Sequence, residues 1–457
     1  MSVGSFHRAH QAVYFDELAQ RGLGDGWALT GIGLHRRDMR QALGPQNGLY
    51  TVLARDSDRD EARVVGIITR YLFGPEQAED VLSLLADAAT RMVTLTITAN
   101  GYSAESERHW AQRRADERAE PAALASIVEG LDRRRRLGLP AFTVLSCDNL
   151  AGNGAVARSA VLALAAARND RLATWIEANG AFPSSMVDRI TPGTKPSDRE
   201  LIERQFGISD RWPVVTERFS QWVIEDTFCN GRPPLEEVGV RFVTDVSPYT
   251  TMKTRLLNGT HCALGHLGSL AGHKRVSDAV ADPVLAAYVE RLMDDEIAPL
   301  LPAGSQDPTS YTTSLRDRLA NTAISDPLSR LCRNSSTKVP AHVLSSILDS
   351  RRAGRPHPLL TLAVAGWCRH LRGEGRGVPA TLDDPQGPRL RLLARAGGRD
   401  PRRLLADERT FGSLGRSPQF VEAVTRDLHE LESSDPRAVI AARSAGREYG
   451  LESPRAA

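Results

Sequence analysis

Apolar residues form short, continuous runs along the first half of the chain. Each run is rich in β-branched or large apolar residues and is bounded by turn formers or charges, which predicts a buried strand. The predicted strands are 27–33, 63–68, 92–97 and 142–146. Helical stretches such as 78–90 and 121–137 lie between them. Because strands that alternate with helices form parallel sheets, this half predicts an α/β domain built on a doubly wound parallel sheet.

After about residue 240 the apolar residues recur at helical spacing, and strand-like runs become few. The predicted helices are 248–271, 278–301, 314–323, 339–352 and 359–372. A chain of 457 residues is also too long for one ordinary hydrophobic core. The pattern therefore predicts two domains, an α/β domain over residues 1–240 and a mostly α-helical domain over 241–457.

Composition excludes several classes of protein and partner. The chain has 58 basic and 56 acidic residues, so it offers no electrostatic footprint for nucleic acid. No apolar run is long enough to cross a bilayer, and the N-terminal sequence lacks the features of a secretion signal. The five cysteines are scattered, which argues against a disulfide framework and against a zinc site with sequence-typical spacing. We therefore expect a cytoplasmic protein without a nucleic-acid or membrane partner.

Lysine is rare in this chain, although basic residues are common. Only Lys195, Lys253, Lys274 and Lys338 are lysines among the 58 basic residues. Arginine cannot give up its proton in a protein, whereas a buried lysine can. A lysine kept in such a background points to chemistry that arginine cannot perform, although chance retention explains any one of the four equally well.

The segment PYTTMKTRLLNGTH, residues 248–261, places three polar side chains on one predicted helix. At about 100° per residue, Lys253, Asn258 and His261 fall at roughly 0°, 140° and 80° around the helix axis. An amine, an amide and an imidazole on one broad face suit proton transfer to or from an alcohol. The alternative is that Asn258 and His261 have only a structural role, in capping or packing the helix, and that Lys253 is solvated.

Two further polar segments follow predicted strands or lie among apolar residues. Asn149 comes directly after the strand 142–146, and ligands of open parallel sheets bind beyond the carboxyl ends of the strands. Ordinary turn chemistry explains that segment as well. Asp188 lies among apolar neighbours, so it is either paired with Arg189 or poised in a cleft.

These stretches together resemble the mannitol dehydrogenase family, the long-chain polyol dehydrogenases that include mannitol 2-dehydrogenases and fructuronate reductases. The resemblance runs from Gly4 to about Pro340 and weakens beyond. The matching segments are VGSFHRAHQAVYFDEL, TGIGL, QNGLYTVL, TVLSCDNLAGNG, FPSSMVDRITP, FSQWVIEDTF, GRPPLEEVGV and MKTRLLNGTH. The last follows the family signature K-x4-N-x2-H.

The resemblance implies a metal-independent oxidoreductase that moves hydride between NAD(P) and a sugar alcohol or ketose. Lys253 resembles the family's general base, which must be neutral near the working pH although a free lysine has a pKa of about 10.4. Asn149 and Asn258 resemble the paired amides that bind the developing alkoxide. His261 resembles a residue that orients the substrate by a hydrogen bond.

The remaining hydroxyls of a small polyol or ketose substrate would be held by Asp188, Arg330 and Lys338, as the resemblance implies. It implies no metal, because the two amides and the lysine take over the electrostatic task of zinc in other alcohol dehydrogenases. It also favours a monomer.

The N-terminal segment matches the family's dinucleotide-binding turn, which implies a Rossmann-like domain with Gly4, Phe6 and Arg8 near the coenzyme. Family members have a strand before a G-x-G turn, whereas here Ser2 takes the place of the first glycine and no strand precedes it. We expect the true start to lie upstream of Met1; the alternative is that the chain binds its coenzyme poorly.

Coenzyme choice and the route of the proton are the other departures from the family. Members selective for NAD tend to carry Glu-Asp after the TGIGL strand, whereas this chain has Arg37 and Asp38. An acid there binds the ribose 2′-hydroxyl of NAD and arginines accept the 2′-phosphate of NADP. We therefore predict NAD as the preferred coenzyme with relaxed discrimination against NADP. Thr250 replaces a glutamate that is thought to help proton exchange in mannitol dehydrogenases.

Three functions remain open at this point. The first is interconversion of D-mannitol and D-fructose. The second is reduction of fructuronate or another hexuronate, whose carboxylate requires an extra cation in the pocket. The third is a non-catalytic homologue with impaired coenzyme binding, which the incomplete turn suggests and the intact Lys253, Asn258 and His261 oppose.

Overall fold

The computed structural model describes residues 1–102, 123–304, 306–373 and 383–446. The chain divides into two compact units, Met1–Ser247 and Pro248–Ala457. This division lies close to residue 240, where the sequence predicts the domain boundary. Strands and helices alternate in the first unit, and the described part of the second unit is mostly helical. The predicted fold class is confirmed.

The first unit contains ten strands in its described part, most of them four to six residues long. They are β1 (Leu29–Gly33), β2 (Tyr50–Arg55), β3 (Glu61–Val65), β4 (Ile68–Phe73), β5 (Met92–Leu95), β6 (Thr143–Ser146), β7 (Ser185–Asp188), β8 (Val214–Glu217), β9 (Gln221–Glu225) and β10 (Arg241–Val243). β4 pairs with β1 and β5 pairs with β6, both in parallel. Two further groups have the orders β3–β2–β8 and β10–β9–β7.

The main chain of residues 1–3 lies between the two parallel pairs. The Ser2 amide donates to the carbonyl of Ile32 in β1 over 2.8 Å. On the other side, the nitrogen of Met1 donates to the carbonyl of Thr94 in β5 over 2.6 Å. These residues therefore hold the central position in the order β4–β1–(1–3)–β5–β6, which is the strand order of a doubly wound sheet.

Helices cover both faces of this sheet, as parallel strands require. The helices of the first unit are Ser5–Ala9, Gln11–Gln20, Arg37–Leu43, Ala78–Ala86, Ala123–Arg136, Asn153–Arg168, Asp170–Asn179 and Pro196–Phe206, with 3-10 turns at Gly44–Gln46, Ala99–Tyr102 and Leu235–Val238. Successive residues of β6 belong to two different hydrophobic cores. Val144 lies in the core that contains Ile127 and Val161, whereas Leu145 lies in the core that contains Trp222. The predicted helix 121–137 is present from Ala123, and its first two residues lie outside the described part.

The prediction of one strand over 63–68 is wrong, because the chain changes sheets there. β3 ends at Val65 and pairs with β2 in antiparallel fashion, whereas β4 begins at Ile68 and pairs with β1 in parallel. The amide of Gly66, between them, donates to the carboxylate of Asp16 over 2.9 Å. A continuous apolar run does not reveal such a switch, because both strands are partly buried.

The second unit packs its helices around a core that includes Trp367, Tyr288 and Tyr311, all fully buried. Its helices are Ser247–Lys253, Gly259–Leu270, Val276–Ala281, Pro283–Arg291, Pro308–Ala320, Leu328–Leu331, Ser335–Lys338, Ser345–Arg352, Pro358–Arg372, Gly387–Gly397, Arg402–Leu405, Glu408–Phe411, Pro418–Ser433 and Pro436–Ser444, with 3-10 turns at Ala298–Leu300 and Leu414–Arg416. None of the described helices combines the length and the hydrophobicity that crossing a membrane requires.

Three π-helical segments occur in the described part of this unit: Thr254–Asn258, Leu292–Ile297 and Val339–Leu344. The first joins two α-helices into one continuous helix over 247–270, and it contacts both of the other π segments. π turns are rare and are enriched at functional sites. The contacts of the first π segment with the other two therefore indicate a candidate functional region in the second unit.

A buried carboxylate holds the N-terminus of the helix Pro358–Arg372. Glu296 is 5% exposed and accepts hydrogen bonds from the amides of Leu359 (2.7 Å) and Leu360 (2.9 Å). These are amide groups that a helix N-terminus leaves without a partner inside the helix. Burial raises the pKa of Glu296 to about 7.

We predict that the stability contributed by Glu296 falls as the pH rises from about 4.5 to about 7. In that window the folded protein holds the proton more tightly than the unfolded chain, so stability is lost as the carboxyl ionises. Glu296→Gln cannot ionise. Relative to this variant, the wild type should lose up to ~3 kcal/mol of unfolding free energy between pH 5 and pH 8, measured by denaturant unfolding. The exposed Glu290→Gln is the control; an equal wild-type-to-variant difference at both pH values would contradict the prediction.

Candidate active site

The helix 247–270 carries three of the predicted site residues. Lys253 is 7% exposed, whereas Asn258 and His261 are half-buried. The alternative in which Lys253 is solvated is therefore wrong. The lysine is the last residue of the first α-helical part, and Asn258 is the last residue of the π segment.

The π segment changes how these side chains are arranged around the helix. A π turn closes with i→i+5 hydrogen bonds, so each residue rotates by roughly 80–85° rather than about 100°. Over the five π residues this brings Asn258 to within roughly 60° of Lys253, and it brings His261 nearly into line with Lys253. The predicted broad face thus narrows to a strip of the helix surface.

His342 is a neighbour of Lys253 that sequence reasoning missed. It lies in the π segment Val339–Leu344. Burial first, and then the positive charges of Lys253, Lys338 and Arg255, lower the pKa of His342 to about 4, so its imidazole is neutral at physiological pH. No local pattern in the sequence indicates it, because Lys338, four residues earlier, lies outside the predicted helix 339–352.

Lys338 and Arg330 occupy different environments within the second unit. The ammonium of Lys338 is half-buried and donates to the Leu331 carbonyl over 3.3 Å. Burial, and to a smaller degree the charge of Arg330, lower the pKa of Lys338. The guanidinium of Arg330 pairs with Asp326, from Nε to Oδ1 over 2.5 Å, and this pairing raises its pKa. The structure thus brings Lys338 near the Lys253 and His342 group, whereas Arg330 is largely held by Asp326.

Asn149 lies in the first unit, in an exposed loop at the carboxyl end of β6. Its neighbour Asp148 anchors this loop: the buried carboxylate accepts from the amides of Ile97 (3.1 Å) and Thr98 (2.7 Å). The hydroxyl of Tyr102 donates to the same carboxylate over 2.7 Å. Burial raises the pKa of Asp148, and these hydrogen bonds oppose the rise.

Asn153 holds the other end of the Asn149 loop. It is 1% exposed; its side-chain NH2 group donates to the carbonyls of Asp148 and Ser185, each over 2.9 Å. Its side-chain oxygen accepts from the Ser185 amide over 2.9 Å. The loop is therefore fixed to the beginning of β7. The sequence pattern around Asp148 and Asn153 is typical of ordinary turns and does not by itself indicate an anchoring role.

Asp188 is the last residue of β7 and is 2% exposed. Its neighbour Arg189 donates to the carbonyls of Glu217 (3.1 Å) and Ala9 (2.6 Å). Burial lowers the pKa of Arg189. Asp188 thus ends one strand of the first unit and Asn149 follows another, and β7 is tied to the Asn149 loop through Asn153.

The N-terminal residues predicted to contact a coenzyme differ in burial, since Gly4 and Phe6 are partly buried and Arg8 is fully buried. Gly4 precedes the helix Ser5–Ala9, and a Cβ added at Gly4 would meet no atom within 4 Å other than those of its chain neighbours. Phe6 stacks on His10 with ring centroids 5.0 Å apart. Arg8, in contrast, is fully buried: its guanidinium donates to the Trp212 carbonyl and lies over the ring of Tyr50.

Asp38 lies in the first turn of the helix Arg37–Leu43, which follows the carboxyl end of β1. Its carboxylate accepts a hydrogen bond from Arg36 over 2.6 Å, and this bond lowers the pKa of Asp38. Arg37 pairs with Glu76 instead, over 2.8 Å. Both partners of the Arg36–Asp38 pair are exposed.

Comparison with known proteins decides the family. Residues 1–237 match the Mannitol dehydrogenase Rossmann domain, and residues 245–432 match the Mannitol dehydrogenase C-terminal domain. The chain belongs to the mannitol dehydrogenase family. It is an oxidoreductase that acts on the CH–OH group of a polyol.

Relatives in this family match nearly the whole chain. A mannitol 2-dehydrogenase of Aspergillus fumigatus is 40% identical over 449 residues, which cover 94% of this chain and 89% of that protein. The structure of Pseudomonas fluorescens mannitol 2-dehydrogenase, a ternary complex with NAD and D-mannitol, superimposes with a TM-score of 0.85 at 40% identity and covers 96% of this chain and 92% of that one. A D-sorbitol dehydrogenase in substrate-free form superimposes with a TM-score of 0.87 at 31% identity, covering 96% and 93%.

We predict that Asn153→Ala loosens the loop that carries Asn149 in this mannitol dehydrogenase family member. The substitution leaves the buried carbonyls of Asp148 and Ser185 and the Ser185 amide without their partner, at a cost of about 2–4 kcal/mol. The melting temperature should fall by several degrees, and turnover should fall with it. Asn179→Ala, at an exposed asparagine, is the matched control. Equal melting temperatures for the two variants would contradict this role.

Proposed function

We propose that this protein is a metal-independent, NAD-dependent polyol 2-dehydrogenase whose main reaction interconverts D-mannitol and D-fructose. The observation that carries the proposal is the signature K-x4-N-x2-H on a π-interrupted helix, with its lysine buried. The relative of known structure that was solved with NAD and D-mannitol supports the choice of substrate and coenzyme. The substrate partner is accordingly a small polyol or ketose.

Features of the first unit fit NAD. The strand order β4–β1–(1–3)–β5–β6 is the one that binds dinucleotides at its carboxyl edge. The space around Gly4 allows a phosphate to approach the main chain, and Phe6 lies in the same turn. Asp38, after β1, suits the ribose hydroxyls. Arg8 supports this turn from within the core, so we assign it a positioning role near the coenzyme.

Lys253 is proposed to be the general base. NAD, when bound, accepts the hydride from the substrate carbon; the task left to Lys253 is to take the proton of the hydroxyl group. An amine does this only in its neutral form, and burial disfavours the charged form. Lys253 is nine-tenths buried, which favours this role.

Two amides and an imidazole are proposed to assist the lysine. Asn149 and Asn258 would donate hydrogen bonds to the oxygen as it becomes an alkoxide, where fixed donors have their largest effect. His261 would orient the same hydroxyl. Asp148 and Asn153 contribute indirectly by fixing the loop of Asn149.

The other hydroxyls of the polyol are proposed to bind Asp188, Lys338 and Arg330. Asp188 accepts hydrogen bonds, whereas Lys338 donates them. Arg330 would contribute only N–H groups that its ion pair with Asp326 leaves available. The same two cations favour a second candidate function, reduction of a hexuronate, because Lys338 and Arg330 lie near each other and could bind a carboxylate.

A panel of substrates with NAD and NADP tests the function. The proposal expects the highest kcat/KM with mannitol and fructose and a lower value with fructuronate. A reversed order would establish the hexuronate reductase. Absence of turnover with all hexitols, pentitols, ketoses and hexuronates would establish the non-catalytic alternative.

We predict that Lys253→Ala lowers kcat by about 10²–10⁴-fold, because it removes the general base while a folded protein remains. Lys253→Arg should be equally inactive, since arginine keeps the charge but cannot accept the proton. The rise of kcat/KM with pH in the wild type should vanish in both variants. Lys274→Ala, at an exposed lysine, should behave like the wild type. Activity above a tenth of the wild-type kcat in either Lys253 variant would refute the role.

We predict that substitutions of Arg36 and Asp38, which form an exposed ion pair, change the preference between NAD and NADP in opposite directions. Asp38→Asn should lower kcat/KM with NAD and shift the NAD-to-NADP ratio toward NADP by about tenfold. Arg36→Ala should lower kcat/KM with NADP, because it removes a cation near the 2′-phosphate. Arg40→Ala, whose exposed side chain pairs with Glu76, is the control. An unchanged ratio in both variants would place the coenzyme determinants elsewhere.

A further inference from the structure

Three side chains of metal-ligand type meet in the core of the second unit. His266 lies in the helix 247–270, Cys332 directly follows the helix Leu328–Leu331, and His370 lies in the helix Pro358–Arg372. They are 1%, 8% and 3% exposed. One ligand atom from each lies within 4.8 Å of the others.

Glycines allow these three segments to approach so closely. A Cβ at Gly265 would lie 2.9 Å from Cβ of Leu331, and one at Gly366 would lie 2.7 Å from Leu267. His266 is adjacent in sequence to both Gly265 and Leu267. The contact that brings the cluster together therefore depends on the absence of side chains at two positions.

Hydrogen bonds determine which nitrogen of His266 carries the proton. The hydroxyl of Ser335 donates its single hydrogen to the Cys332 carbonyl over 2.8 Å. The contact of 3.1 Å between that hydroxyl oxygen and Nε2 of His266 must therefore use an N–H on the imidazole. Nδ1 is left with its lone pair, and it faces Sγ of Cys332 over 3.6 Å.

This is the arrangement that a metal-binding histidine requires. Such a histidine offers one nitrogen to the metal and donates its other N–H to a fixed partner. With Zn–N distances near 2.0 Å and Zn–S near 2.3 Å, tetrahedral ligand atoms lie roughly 3.3–3.6 Å apart. The separation of His266 Nδ1 and Cys332 Sγ already has that value, and the widest pair exceeds it by about one ångström.

The chemistry of the donor set also selects the ion. Two imidazoles and one thiol suit a borderline or soft transition metal and do not suit Mg²⁺ or Ca²⁺. All three ligand side chains are buried, which shields a bound ion from solvent. Binding would release the thiol proton of Cys332 to solvent as the metal–sulfur bond forms.

We propose that His266, Cys332 and His370 bind one Zn²⁺ ion that has a structural role. The ion joins the helix 247–270 to Cys332 and to the helix Pro358–Arg372, and a water completes its coordination. It takes no part in the transfer of hydride, so the proposal does not rest on the proposed function. Sequence spacing does not reveal the site, because its ligands come from three separate segments.

Metal content and cobalt spectroscopy test the proposal. The full-length protein is equilibrated with a slight excess of Zn²⁺, dialysed and analysed for metal, and in parallel it is titrated with Co²⁺. We expect about one Zn²⁺ per chain, a near-ultraviolet thiolate-to-Co²⁺ band, and a rise in melting temperature with Zn²⁺. Cys332→Ser should lose the near-ultraviolet band and at least nine-tenths of the bound zinc.

Matched variants separate the site from general effects on folding. Cys368→Ser replaces another buried cysteine in the helix of His370 and should keep zinc and the cobalt band. His370→Gln, folded by circular dichroism, should lose zinc even if Cys332→Ser does not fold. Less than a tenth of an equivalent of zinc in the wild type, or equal zinc in all variants, would overturn the proposal.

Turnover measured with a chelator distinguishes this inference from the proposed function. Unchanged kcat after removal of zinc is expected and supports a structural ion. If kcat vanished with the zinc and returned with it while circular dichroism and the melting temperature stayed unchanged, both the assignment of the ion as structural and the metal-independent function would be overturned.

Discussion

The burial of one helix, 247–270, constrains most of the second unit. Its π segment sets the rotation between Lys253 on one side and Asn258 and His261 on the other. The same helix then continues to His266, where glycine-mediated contacts bring it against the helix Pro358–Arg372. The proposed proton transfer and the proposed zinc site thus depend on the register of a single helix. A change in that register would alter both at once.

Much of the architecture could be predicted, because hydrophobic periodicity reports burial directly. The alternation of the first half and the helical spacing of the second half are physical requirements of sheets and helices, and they gave the right fold class. The switch of sheets at Gly66 could not be predicted in this way. An apolar run has the same pattern whether its residues belong to one strand or to the ends of two strands. The hydrogen bond from the Gly66 amide to Asp16 also joins positions that are far apart in sequence.

For the candidate site, the sequence indicates candidate residues more readily than it indicates their arrangement. Lys253, Asn258 and His261 are recognised by their spacing, but five residues of π-helix leave almost the same apolar pattern as α-helix. His342 escaped notice because its relation to Lys253 arises only from tertiary packing. The partners His266 and Cys332 are 66 positions apart, so no local motif contains both.

The proposed coenzyme determinants, Arg36 and Asp38, differ from these buried residues because their side chains are exposed. Arg36 and Asp38 form an exposed pair on the surface, and an exposed pair of this kind contributes little to stability. Substitutions there would leave the core intact, whereas most changes along the helix 247–270 would disturb its packing. Substituting the proposed coenzyme determinants is therefore expected to cost less stability than substituting the residues that are proposed to transfer the proton. An enzyme with this fold could in this way come to use either the NAD pool or the NADP pool of a cell after very few substitutions.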